Sequence, residues 1–238
     1  MVPFADMRML RLDWLHCADL GVSADFLGSL IWYFVAKRKV PAGTTQKRRM
    51  RAMHLLMQDF YRRRPADQKK NQLPNLTIGV VKGKKKKFPK LRAGGGQVRH
   101  LIPWGVELVE RFCDRNDPAE SSMYFGMQSL SRCYAALSGL FPHVNDVLQD
   151  DSKRFALHFA ALAQTTAIFR VKPKLHAFLE LCSSGGQPSK HWNYRDEDFG
   201  GSVANFGKRR GGPPSTAEFS RSSMTKFHGQ PVVRLVAA

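Results

Sequence analysis

The sequence predicts a mostly helical chain with a few short strands, a partial α/β half-sheet covered by helices. Three observations predict it: apolar residues recur at helical spacing over most of the 238 residues, only three short stretches read as strands, and a hydrophobic fraction of 43% is ordinary for a packed core.

Taken in order, Met9 to Asp13 alternates apolar residues around Arg11, which suits a short strand ending at a carboxylate. Ser23 then precedes Phe26, Leu27, Leu30, Ile31 and Phe34 at helical spacing, and Lys37, Arg38 and Lys39 sit where a helix C-terminus favours cations. Pro41 and Gly43 close that helix. Thr44 or Thr45 caps a second one, carried by Met50, Met53, Leu56, Met57, Phe60 and Tyr61 and stopped by Pro65. From Ala66 the pattern dissolves into prolines, glycines and lysines, with Leu76 to Val81 as a short strand inside it. Helical spacing returns over Val98 to Phe112, Ser122 to Leu140 and Val147 to Phe169. Phe169 to Val171 reads as a strand before Pro173 opens a helix through Leu175 and Leu179. A last helix follows the acidic triplet Asp196, Glu197 and Asp198. The domain reading is a strand plus helices over 1–65, a basic loop or linker over 66–97, a helical block ending in the acidic-cluster helix over 98–212, and a weakly ordered tail over 213–238. The core should draw on Leu12, Leu27, Leu30, Ile31, Phe34, Leu108, Phe112, Leu137, Phe159, Leu162, Leu175 and Leu179.

Charge says more about function than the elements do. Lys and Arg number 38 against 19 Asp and Glu, a net charge of +19. Such an excess repels itself unless a polyanion offsets it. It is also concentrated: between positions 37 and 92, nineteen cations face Asp59 and Asp67. A patch of this kind is the electrostatic footprint of nucleic-acid binding through counterion release. The residues expected at phosphate are Lys47, Arg48, Arg49, Arg51, Arg62, Arg63, Arg64, Lys84, Lys85, Lys86, Lys87, Lys90 and Arg92. The plainer alternative is a solvated basic loop without a dedicated partner.

Cys17, Cys113, Cys133 and Cys182 form no C-x-x-C pair, which argues against a zinc ribbon and a secreted disulfide framework and points to a reducing compartment. No secretory signal is legible at the N-terminus. Leu20 to Ala36 is apolar enough to raise a membrane question, but it carries Asp25 and reads as a buried core helix, so no membrane partner is expected. His16, His176 and His191 have no zinc-ligand spacing with one another or with the cysteines. Phosphate-loop and nucleophile-elbow motifs are absent from the sequence.

Two constellations could carry chemistry. Asp13 stands three residues before His16 and is followed by Leu20 and Gly21; much later come Lys174, His176, Gly186, Trp192, Asp196 and Glu197. Carboxylates from separate elements are how phosphoryl-transfer sites clamp paired Mg²⁺ ions. Acidic residues in a first helical turn also have a purely structural use, complementing the macrodipole.

This order resembles the C-terminal part of eukaryotic cut-and-paste DDE transposases of the CACTA and Kyakuja-Dileera-Zisupton kind. The resemblance implies a partial RNase H-like half-sheet with a large helical insertion. It implies Asp13 as the second and Glu197 as the third metal-binding carboxylate, with Asp196 beside it and Mg²⁺ as the metal if the chain is catalytic. Only twelve residues precede Asp13, so the family's first aspartate and its strands have no counterpart. The expectation is a nucleic-acid-binding fragment or degenerate relative, not catalytic alone, with DNA as partner and RNA as the second choice. Two alternatives stay open: an active Mg²⁺-dependent nuclease completed by a missing N-terminal part, and a basic structural RNA-binding protein. The basic clusters, Lys84 to Lys87 above all, suggest nuclear residence.

Overall fold

The computed structural model describes residues 12–65, 71–83, 88–137, 144–183 and 188. Eight helices form within them: α1 (Leu15–Arg38), α2 (Gln46–Arg63), α3 (Ile78–Val81), α4 (Gly95–His100), α5 (Ile102–Phe112), α6 (Pro118–Leu137), α7 (Val144–Thr165) and α8 (Pro173–Ser183). The molecule is mostly helical, and no strand occurs among the described residues.

Of the three expected strands, the two that fall on described residues are not formed, and of Met9 to Asp13 only the last two residues are described. There Asp13 starts α1: its Oδ1 accepts from the Leu15 amide at 2.9 Å and its Oδ2 from the His16 amide at 3.1 Å. Aspartate is among the best residues for satisfying these orphan donors. The β-branched run at Ile78 is turned into helix by Thr77, whose hydroxyl accepts from the Val80 amide at 3.3 Å. Phe169 to Val171 is irregular chain. Nothing described therefore builds the half-sheet.

α1 is the element around which the others pack. It is long and apolar enough to cross a membrane, yet 83% of its most apolar window is buried inside the protein. Its first and last turns, Leu15–Ser23 and Tyr33–Arg38, are wound wide as π-helix, and Gly21 breaks the helical path at φ −101°, ψ −109°. Such a break frees backbone carbonyls, which need new donors. Lys90 Nζ reaches the Leu20 carbonyl at 2.6 Å, Lys174 Nζ the His16 carbonyl at 2.9 Å, and the Leu91 amide the Ala24 carbonyl at 2.8 Å. The Leu91 bond brings chain so close to Gly28 that a Cβ there would lie 2.3 Å from the Leu91 nitrogen.

α6 and α7 form the largest helix pair, α5 packs on α6, and α8 packs on α7 and on the start of α1. Their shared interior is aromatic. Phe26 meets Phe155, Phe159 and Phe169 at ring separations of 5.2–5.4 Å, and Trp14 meets Tyr134 and Phe178 edge to face. These geometries set the positive ring edge against the negative face. Of the residues expected in the core, nine are buried: Leu27, Leu30, Ile31, Phe34, Leu108, Leu137, Phe159, Leu162 and Leu175. Leu12 and Phe112 are only partly buried and pack against its edge, and Leu179 is also partly buried.

Within the 66–97 segment, the described stretches are tied to the body of the protein. Leu73, Leu76, Val81 and Leu91 are buried, and residues 90–92 bond to α3 through Lys90 N to Val81 O (2.8 Å) and Arg92 N to Val80 O (2.9 Å).

Candidate nucleic-acid interface

α2 carries the densest cluster of expected contact residues. It opens where the Thr45 hydroxyl accepts from the Arg48 amide at 3.2 Å, and its apolar stripe of Met50, Met53, Met57, Phe60 and Tyr61 faces the core. Lys47, Arg48 and Arg51 therefore project outward, along one wall of a groove of about 690 Å³ whose floor includes Met50, Leu76 and Ile78. No carboxylate pairs with these three cations among the described residues, and the first turn of α2 holds no acidic residue. Lys47 and Arg48 thus sit in the first turn, at the positive end of a helix dipole, with Arg51 one turn further on, an arrangement that costs stability.

Arg49 departs from the expectation. It is buried, with its Nε donating to the Val35 carbonyl at 2.7 Å and its Nη1 to the Gly43 carbonyl at 2.8 Å. It satisfies backbone carbonyls at the end of α1 and in the following turn and is not presented to a partner. At the other end of α2, Arg62 and Arg63 pair with Asp59 at 3.2 and 3.3 Å, Arg63 pairs again with Glu107 at 2.7 Å, and Arg64 lies 4.6 Å over the Phe60 ring. These cations are largely answered within the protein.

A second basic cleft, of about 560 Å³, is lined by Phe88, Lys90, Arg92, Arg170, Val171, Lys172 and Pro173. The fold brings Lys90 and Arg92 to the residues that open α8. Arg170 and Lys172 carry no run of charge in the sequence, so residue spacing alone did not mark them. Beneath the cleft, buried Asp25 binds Lys172 Nζ at 2.7 Å and faces Lys90 Nζ at 4.0 Å. Burial pulls the Lys90 ammonium below the usual lysine range, with Asp25 opposing that effect. The Arg170 guanidinium lies 5.1 Å over the Phe88 ring. Lys84 to Lys87 lie outside the described residues.

Asp13, expected at a metal, has its carboxylate against the first amides of α1 and the His16 ring. Asp196 and Glu197 lie outside the described residues, as does Trp192. Among the described residues no three His, Cys, Asp or Glu side chains converge as a metal site would require. The four cysteines are thiols, three of them buried. Burial pushes the Cys182 thiol up to about 12, with a Ser152 hydrogen bond opposing.

One buried acid, Asp19, stands in the first constellation just before Leu20 and Gly21, and the sequence assigns it no role. Asp19 is sealed inside the protein, where Tyr134 donates its hydroxyl to Oδ1 at 2.5 Å and Ser23 Oγ lies 2.8 Å from the same hydroxyl. Burial raises its carboxyl to about 7, against the lowering effects of the Tyr134 bond and the Arg99 charge. Tyr134 also lines a cavity of about 400 Å³ shared with Arg64, Arg99 and His100.

The fold and its basic grooves define an all-helical body, over the described residues, with cations gathered at two clefts. No family model, curated protein or solved structure matches the chain.

Proposed function

We propose that this chain is a nucleic-acid-binding protein that lays phosphates along the groove at the start of α2, with DNA as the partner and RNA as the second choice. The observation that carries the reading is the opposition between Lys47, Arg48 and Arg51 and the dipole of the helix that bears them. Cations placed against a macrodipole, unpaired with any described carboxylate, lower the stability of the protein by itself and gain from a bound polyanion. The apolar floor under them favours sugar and base edges over a bare ion. Replacing all three by Gln should weaken binding about a hundredfold at about 0.1 M salt and flatten the dependence of affinity on salt by roughly 3. Anisotropy titration across a salt series checks this. Failure of the natural chain to bind DNA or RNA at about 50 mM salt overturns the reading.

A narrower reading, a chain derived from a DDE transposase with an RNase H-like half-sheet, has one observation in its favour. Lys174, which opens the second cluster, lies against the first: its Nζ bonds the His16 carbonyl, and a Cβ on Gly21 would lie 3.1 Å from its Cδ. Against it, the Asp13 carboxylate serves the helix N-terminus, which suits it poorly to the metal role. On this reading Asp13, Asp196 and Glu197 would hold Mg²⁺, and the chain alone does not cut DNA. Cleavage in Mg²⁺ or Mn²⁺ that disappears on Glu197→Ala would establish the enzyme instead.

A further inference from the structure

We infer that the cleft between residues 88–92 and 170–173 is a site for one nucleotide of an unpaired strand, with its phosphate at Arg92 and Arg170 and its base on the Arg170–Phe88 stack. This deepens the nucleic-acid reading and rests on it.

The charge of the cleft is asymmetric in a useful way. Asp25 lies beneath it and is matched by Lys172 at 2.7 Å and Lys90 at 4.0 Å, while Lys90 also holds the Leu20 carbonyl. Those two lysines are therefore committed to the body of the protein, and the outward positive charge falls to exposed Arg170 and, beside it, to Arg92, whose Nη1 also donates to the Gly79 carbonyl at 3.4 Å. Arginine presents a planar fork that matches two phosphate oxygens at once. Pro173 is the first residue of α8, an eleven-residue helix, so the positive end of that dipole opens on the same cleft.

The aromatic component decides the class of partner. The Arg170 guanidinium lies 5.1 Å over the Phe88 ring, a flat cationic stack beside a phosphate-attracting wall. Basic grooves with interleaved aromatic platforms hold single strands, whose bases are available to stack. A volume of about 560 Å³ seats one nucleotide, and only an unpaired base is free to stack there, since a duplex turns its bases inward against each other.

The test uses the full chain in anisotropy titrations against a thymidine single strand of about twenty nucleotides and a duplex of the same length. Phe88→Ala and Arg170→Gln should each weaken single-strand binding about tenfold and leave duplex binding within about twofold. Arg170→Gln should also lower the single-strand salt slope by about 1. Arg170 is exposed and holds no described buried group, so its variant keeps the test sound if Phe88→Ala fails to fold. Unchanged single-strand affinity in Arg170→Gln, with the natural chain still binding, overturns this inference and leaves the wider reading standing. Equal losses on both nucleic acids overturn the assignment to an unpaired strand, as does displacement by free thymidine monophosphate at the concentration of the strand itself. No binding of either nucleic acid by the natural chain removes the wider reading and this one together.

Discussion

The two ends of α2 carry the same residue types and solve opposite problems. At its last turn, Arg62 and Arg63 sit where the helix dipole is negative and meet Asp59 and Glu107. At its first turns, Lys47, Arg48 and Arg51 sit where the dipole is positive and line a groove. One cation in that N-terminal group, Arg49, is turned inward to two carbonyls. The difference teaches that a basic run is not one feature. Its members divide into those that hold the fold, those that balance it and those that no described carboxylate answers.

That division can be broken most forcefully at Arg49. Arg49→Met should lower folding stability by about 3 kcal/mol, because two charge-assisted bonds vanish and the Val35 and Gly43 carbonyls lose their donor. Urea denaturation measures it. A variant as stable as the natural chain would return Arg49 to the contact surface.

The second measurement concerns the buried acid near the C-terminal end of α2, where Phe60, Tyr61 and Arg64 share a cavity with Tyr134. Asp19 has its carboxyl raised from 3.8 to about 7 in the folded protein, so between those values the folded state binds the proton and the unfolded state does not. Its contribution is fully present below the unfolded pKa and is lost as pH rises through 7. The natural chain should therefore lose stability relative to Asp19→Asn, by on the order of 3 kcal/mol, as pH climbs from about 4 to above 7. Paired melts across that range isolate the effect from His100 and His158, whose imidazoles burial pulls below their usual range. A constant difference between the two proteins would show that Asp19 does not titrate in this window.

The smallest effect sharpens the comparison directly. Lys47→Glu with Arg48→Glu should raise stability by about 1 kcal/mol through the dipole, whereas Arg62→Gln with Arg63→Gln should lower it slightly, since those exposed pairs are screened by water. The same sign at both ends would mean that the dipole does not govern these residues.

Much of the helical framework was legible in the sequence because its signals are local. The spacing of Phe26, Leu27, Leu30 and Phe34, the Thr45 cap and the stop at Pro65 each fix backbone over a few residues, and the structure places α1 and α2 accordingly. The strand expected at Ile78 is helix because the Thr77 cap outweighs β-branched composition, and Asp13 serves as a cap for α1 as well. Arg49 was recoverable: it stands four residues before Met53 and eight before Met57, on the buried stripe, while Arg48 and Arg51 flank that stripe. The second cleft was not recoverable, since Arg170 meets Phe88 only through the packing of residues far apart in the chain. Pairing of that kind leaves no trace in spacing or composition.

Gly28 sets a different kind of limit. With the Leu91 nitrogen 2.3 Å from where its Cβ would stand, no side chain fits between the core helix and the segment that crosses it. The position is thus nearly invariable by construction. Kinship to this chain should accordingly be sought first in a glycine at the centre of the most apolar helix, and only afterwards in its exposed lysines and arginines.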